Sequence, residues 1–146
     1  RSLNWNNVDF VATSATYFNV LAEQPNGIMN GFYCLNSIVF PYYDKATNVE
    51  KIWWDKYKNL YGRDPNSGSL YGYIFADIAI KAIKDAGKDL NIDTLVLALE
   101  NIKNYEDPLK AGIVTFSKTE RQGSNISYLF QVTDQRFKII TGPIAY

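Results

Sequence analysis

The sequence contains no histidine at all and a single cysteine among its 146 residues. The first absence removes imidazole acid/base catalysis, Ser-His and Cys-His nucleophile pairs, and His-ligated metal sites. The second removes any internal disulfide and any cysteine-rich metal cluster. Cys34, inside the strand-like run "GIMNGFYCLNS", reads as a buried, inert thiol. Net charge is also missing, since fifteen Lys and Arg balance fifteen Asp and Glu. With the basic residues scattered, nothing favours nucleic acid or an anionic membrane as a partner. No apolar run is long enough to span a bilayer.

Aromatic side chains, by contrast, are plentiful: eleven Tyr, eight Phe and three Trp. They fill cores and line apolar pockets. A chain of this length and composition buries one domain's worth of core.

Periodicity divides the chain into alternating strands and helices. "VDFVAT" is a strand, and "SATYFNVLAEQ" a short helix with Ser14 in the N-cap position. "GIMNGFYCLNSIVF" is a second strand, and "PYYDKATN" a connector. "NVEKIWWDKYKNLYG" carries Val49, Ile52, Trp53, Tyr57 and Leu60 on one face and stops at Gly62. "SLYGYIFADIAIKAIKDAG" is apolar on nearly every side, with only Asp77, Lys81, Lys84 and Asp85 forming a polar stripe. Such a helix is expected to lie between other elements. Asp77 and Lys81 are spaced to pair, and Gly87 suits a left-handed C-cap. Asn91 caps "IDTLVLALENIK", striped by Leu95, Ala98, Leu99 and Ile102.

Beyond "NYEDPLKAG" the pattern turns to strands. "IVTFS" is one, and "ISYLFQVTD" places Ile126, Tyr128, Phe130 and Val132 on one face. "RFKIITG" then returns through a turn at Asp134-Gln135, a pair poorly suited to a tight type I′ hairpin. The sum is an α/β class protein with a C-terminal β-hairpin. Asn125-Ile126-Ser127 fits a glycosylation sequon of low specificity.

The order of several landmarks carries a family resemblance. "WWDKYKNLYGRDP" begins at Trp53, the Gly72-Tyr73 pair follows, and "AIKDAG" ends at Gly87. "DTLVLALENI", "EDPLKAGIVTF" and "FQVTDQRF" complete the series. Together they resemble the C-terminal portion of type I periplasmic binding proteins, the substrate-binding proteins of branched-chain-amino-acid-type ABC transporters.

The resemblance implies part of a two-lobed fold, with parallel sheets flanked by helices and a ligand cleft closed by hinge motion. Residues 1–40 would belong to the C-terminal lobe, 41–108 to the N-terminal lobe after a crossover near Pro41, and 109–146 to the return crossover near Pro108 and C-terminal-lobe strands. Tyr42 and Tyr43 would sit in the hinge. The implied partners are a small-molecule ligand, a membrane permease and the remaining N-terminal part of the same protein, which would precede Arg1. Its implied location is periplasmic or extracellular, with a lipid anchor upstream as an option. The alternative on the same fold is a ligand-sensing receptor or regulator domain.

Neither reading involves catalysis, a cofactor or a metal. Glu106, Asp107 and Asp134 are not paired at any spacing that suggests acid/base work. The expected ligand contacts are Thr13, Ser14, Ala15 and Tyr17 on one wall, with Ser69 and Tyr71 on the other. Thr13-Ser14-Ala15 follow an apolar strand and open a helix, the place where open α/β sheets bind ligands. Two departures stand out. Ile74 and Phe75 occupy positions where the family often has Asp-Ala. No acidic residue occurs from Val11 to Ala22, where amino-acid binders of the family hold the ligand ammonium. A buried ammonium without a carboxylate is costly, so the expected ligand is a small polar-headed organic solute (amino-acid-like, an amide, or an aromatic or aliphatic carboxylate), with an ordinary α-amino acid disfavoured unless the missing part of the protein supplies the charge.

Overall fold

The computed structural model describes residues 7–146. They form two compact units. One takes the chain up to Ser37 together with Ile126–Tyr146, and the other is the uninterrupted stretch Ile38–Asn125. Residues 109–125 therefore pack with the helices that precede them.

In the first unit, β1 (Val11–Ala12), β2 (Tyr33–Asn36), β5 (Ile126–Thr133) and β6 (Arg136–Ala145) make one sheet in the order β1-β2-β5-β6. Only β1 and β2 are parallel, with Val11 opposite Tyr33 and Ala12 opposite Cys34. β5 runs antiparallel to both β2 and β6. The sheet in this chain is thus mixed rather than parallel, because the C-terminal hairpin adds directly to β2. The alternation read in β5 places Phe130 and Val132 in the core, while Ile126 and Tyr128 are half-buried. Tyr17 closes this core, its ring 4.6 Å from Phe130 and 4.7 Å from Phe137.

The hairpin turns on two residues, since Thr133 pairs with Arg136. Asp134 (φ 52°) and Gln135 (φ 60°) both take positive φ, the backbone that matches strand twist in a two-residue loop. The sequence suits this geometry poorly, and β5–β6 pairing imposes it nonetheless. Asp134 is held by an ion pair of 2.7 Å with Lys138. Further along β6, Gly142 (φ 139°) lies so close to Tyr128 that a Cβ there would sit 2.7 Å from Cδ1 of the ring and 3.0 Å from its Cα.

The second unit holds the three long helices, α2 (Asn48–Tyr61), α3 (Ser67–Ala86) and α4 (Ile92–Glu100), and the two-stranded β3 (Tyr105–Glu106) and β4 (Ile113–Val114). Each long helix starts in a reciprocal capping box, with Thr47 and Glu50, Asn66 and Ser69, and Asn91 and Thr94. The Asn66 box starts α3 two residues before the expected position. α2 ends at Gly62 in the left-handed conformation (φ 67°, ψ 15°). Gly87, after α3, takes φ 75° and ψ −154° instead, a region all but closed to other residues.

Burial on these helices is narrower than their composition. On α3 only Ser67, Leu70, Ile74, Ile78 and Ala82 are buried, a single stripe, while Phe75 remains 64% exposed and Ile80 51%. α2 has no buried residue, and Val49, Ile52 and Leu60 are exposed. Trp53 packs instead on Tyr57 and Tyr73. In this chain α3 is therefore covered along one stripe, not enclosed. The expected Asp77–Lys81 pair is replaced by Lys81 with Asp85 at 2.8 Å, because Asp77 accepts a hydrogen bond from Tyr105.

Candidate functional site

β1 ends at Ala12, and the next three residues to form structure, Ser14–Thr16, make one turn of 3-10 helix. The Thr13 carbonyl anchors that turn, accepting from the Thr16 amide at 3.0 Å and the Thr16 hydroxyl at 2.8 Å. The Cys34 thiol, on the neighbouring parallel strand, donates to the same carbonyl at 3.2 Å. Thr16 Oγ1 lies 3.4 Å from Cys34 Sγ, so strand and turn are joined through one buried sulfur. Burial pushes the Cys34 thiol above its usual pKa, in keeping with an inert structural role.

The expected helix through Tyr17 is absent. The 3-10 turn stops at Tyr17, and the next helix, α1, is the separate four-residue Asn19–Ala22. Ser14 is therefore not an N-cap. Thr13 occupies that position, and its side chain makes no capping bond. A turn this short carries no appreciable macrodipole, so helix-dipole attraction for an anion plays no part here. The break follows from packing, because carrying Tyr17 into the core between Phe130 and Phe137 diverts the chain.

The expected contacts therefore separate by environment. Thr13, Ser14 and Ala15 are exposed, and among the described residues neither hydroxyl is engaged by another group. Tyr17 is 1% exposed and belongs to the aromatic core. Ser69 and Tyr71 lie in the second unit, in the first turn of α3. The Ser69 amide donates to Asn66 Oδ1 at 3.0 Å, and its hydroxyl accepts from the Asn66 amide at 3.3 Å. The same hydroxyl draws the Tyr57 phenol below its ordinary pKa. Tyr71 is half-buried, 5.9 Å from the Phe75 ring. Tyr42 stacks edge-on against Phe40, and Tyr43 against Trp54.

Thr16 escaped the sequence reading, yet it shapes the turn. Its signal was present as a second hydroxyl three residues after Thr13, the spacing of a local side-chain-to-backbone bond.

The carboxylates have structural engagements. Asp107 is 3% exposed and accepts from the amides of Leu109 (2.8 Å), Ala111 (3.0 Å) and Gly112 (3.3 Å). Burial pushes its carboxyl up while those three amides pull it down. Asp134 is paired with Lys138 on the hairpin, and Glu106 is exposed on β3. Among the described residues no three His, Cys, Asp or Glu side chains converge as a metal set, and no helix is long and apolar enough to cross a membrane.

A branched-chain amino acid ABC transporter protein from Thermus thermophilus, solved with bound valine, superposes with a TM-score of 0.78 at 20% identity, over 95% of this chain and 40% of that one. A fatty acid ABC transporter substrate-binding protein from Thermomonospora curvata gives 0.74 at 20% identity, over 94% and 37%. A possible leucine/isoleucine/valine-binding protein from Rhodopirellula baltica gives 0.73 at 20%, over 96% and 37%. The chain thus spans about 40% of the length of the structures it matches. At identities this low the likeness is one of fold. Among curated proteins none matches. The family model described as "Periplasmic binding protein" matches residues 1–136, and by that match the chain belongs to the periplasmic binding protein family.

Proposed function

We propose that this chain is part of the substrate-binding component of an ABC transporter, working in the periplasm or outside the cell. It would capture a small organic solute by closure of two lobes and deliver it to a membrane permease. The family match over residues 1–136 carries this reading. The lobe assignment expected from the sequence, 1–40, 41–108 and 109–146, remains part of the proposal.

The proposed ligand has a polar head and an apolar body. Thr13-Ser14-Ala15 offers exposed hydroxyls and backbone to such a head, an arrangement that suits a carboxylate, carbonyl or amide oxygen. The turn has no carboxylate from Val11 to Ala22 to neutralise an ammonium, and removing an ammonium from water without one costs several kcal/mol. One relative is solved with valine and another is named for fatty acids. The chemistry of this turn favours the carboxylate side of that range. Tyr17, packed in the core, is left out of the proposed contacts. Ser69 and Tyr71 stay as proposed contacts.

Calorimetric titration of the complete protein with valine, leucine, aliphatic and aromatic carboxylates and their amides tests the reading. A carboxylate or amide should bind and the zwitterionic amino acids should not. Tight valine or leucine binding would refute the ligand class. Turnover of any of these compounds would refute the binding role itself.

A further inference from the structure

Two Asn-Gly pairs stand four residues apart in the loop between α1 and β2: Asn26-Gly27 and Asn30-Gly31. Asn-Gly is the pair in which a side-chain amide is most readily attacked by the following backbone nitrogen, because glycine places no Cβ in the way. From sequence alone the two are equivalent. The structure separates them.

The Gly31 amide donates to the Val132 carbonyl at 2.9 Å, and the next residue, Phe32, accepts from the Val132 amide at 2.8 Å. Asn30-Gly31 is therefore fixed against β5, and Asn30 has a further interaction of its own. Its own amide is bonded to the Gly27 carbonyl at 2.9 Å. Asn26-Gly27 lies in the short turn Pro25–Gly27, whose closing bond, from the Ile28 amide to the Pro25 carbonyl, is long at 3.4 Å. Asn26 is exposed and sits at φ 60°, ψ 19°, the left-handed region that Asn tolerates better than most side-chain-bearing residues. Among the described residues, the Gly27 amide makes no hydrogen bond of normal geometry, and nothing engages the Asn26 side chain. The electrophile is unengaged, and the nucleophile is held only by the weak, irregular bonding of a three-residue 3-10 turn.

We infer that Asn26 is a site of spontaneous, structure-selected deamidation. The Gly27 nitrogen loses its proton to solvent base and bonds to Cγ of Asn26. The Cγ–Nδ2 bond breaks, and nitrogen departs as ammonia after taking up a proton. Water then adds to one carbonyl of the resulting cyclic imide and opens it, leaving aspartate or isoaspartate at position 26. No oxidant or enzyme is involved. Each event adds a negative charge to a chain whose formal net charge is zero. The isoaspartate product also lengthens the main chain just before β2, the strand that pairs with β1 beside the Thr13–Ala15 turn.

The full chain, aged at mildly alkaline pH with and without denaturant, tests this. Cleavage after glutamate releases a segment running from Gln24 to Glu50 that holds both asparagines, and fragmentation mass spectrometry assigns the amide-to-acid mass change to one or the other. In the folded protein Asn26 should convert roughly fivefold or more faster than Asn30, the ratio a lost hydrogen bond and a freed peptide supply. In denaturant the two rates should converge. Asn26→Asp should abolish the early acidic peak on ion exchange, whereas Asn30→Asp should leave its growth unchanged. Equal rates in the folded protein, faster conversion at Asn30, or silence at both sites until denaturant is added would each overturn the inference.

Discussion

The Tyr105 hydroxyl donates to Asp77 Oδ2 at 2.5 Å, tying β3 to the middle of α3. Lys81 stands 5.6 Å above the same tyrosine ring. The carboxylate beside the phenol makes its proton hard to remove, and its pKa is pushed from 10.0 to about 12. Because the folded value is raised, this contribution is complete below pH 10.0 and disappears as pH rises through about 12. NMR titration of ring-labelled tyrosine should find Tyr105 ionising well after an ordinary tyrosine. Tyr105→Phe should remove that late titration and cost about 1 kcal/mol at neutral pH. A Tyr105 that ionises with the bulk tyrosines would contradict the hydrogen bond.

Ser14→Ala separates binding from folding. Since Ser14 caps nothing and its hydroxyl has no partner within the described residues, the substitution should leave the melting temperature of the complete protein unchanged. If the hydroxyl contacts the ligand head as proposed, affinity should fall by about 1–2 kcal/mol, the scale of a lost hydrogen bond. Calorimetry beside a thermal melt reads both. Unaltered affinity removes Ser14 from the site.

The hairpin offers a gain. Gln135 holds φ 60° beside Asp134 at φ 52°, and the left-handed conformation costs a residue with a side chain roughly 1–2 kcal/mol. Gln135→Gly should stabilise the protein by about 0.5–1 kcal/mol after glycine's greater unfolded-state entropy is offset. Chemical denaturation measures it. A loss of stability would mean the Gln135 side chain supports the turn in some other way.

The two faces of α3 should respond unequally. Leu70 is fully buried, so Leu70→Ala should cost about 2–5 kcal/mol. Phe75 is 64% exposed, so Phe75→Ala should cost under about 0.5 kcal/mol in this chain. Repeating Phe75→Ala in the complete protein probes what lies over that face. A penalty of core size there would mean that the remaining sequence covers it, as the family resemblance leads one to expect.

The helices were legible because their start signals are local. Asn91 was readable as the cap of α4 within one turn of chain, whereas the equally local Thr47–Glu50 box went unread and α2 was placed by its apolar face and Gly62. The same logic applied to Asn66 and Ser69 would have set the start of α3 correctly. Less legible were features decided by distant partners. The interruption after Thr16 depends on where Phe130 and Phe137 place the core that receives Tyr17, and no local pattern reports that. β1 is only two residues long, paired with Tyr33 and Cys34, and β2 only four, the length of its antiparallel ladder with β5. At the candidate site, the identity of Thr13-Ser14-Ala15 was plain in the sequence. Its true form, a 3-10 turn anchored by Thr16 and Cys34, was not, since Cys34 reaches it from another strand.

The division of the chain also sets an order of assembly. The stretch Ile38–Asn125 is continuous, and each of its long helices begins with a self-sufficient cap. During synthesis it can fold as soon as it leaves the ribosome. The sheet unit is split, and β2 has no antiparallel neighbour until Ile126–Thr133 has been made. Tyr17 must wait for β5 and β6 before Phe130 and Phe137 pack on its ring, and Cys34 for β5, where Phe130 stands opposite it. Tyr17 and Cys34, early in this stretch of chain, are thus among the last of its residues to become secure.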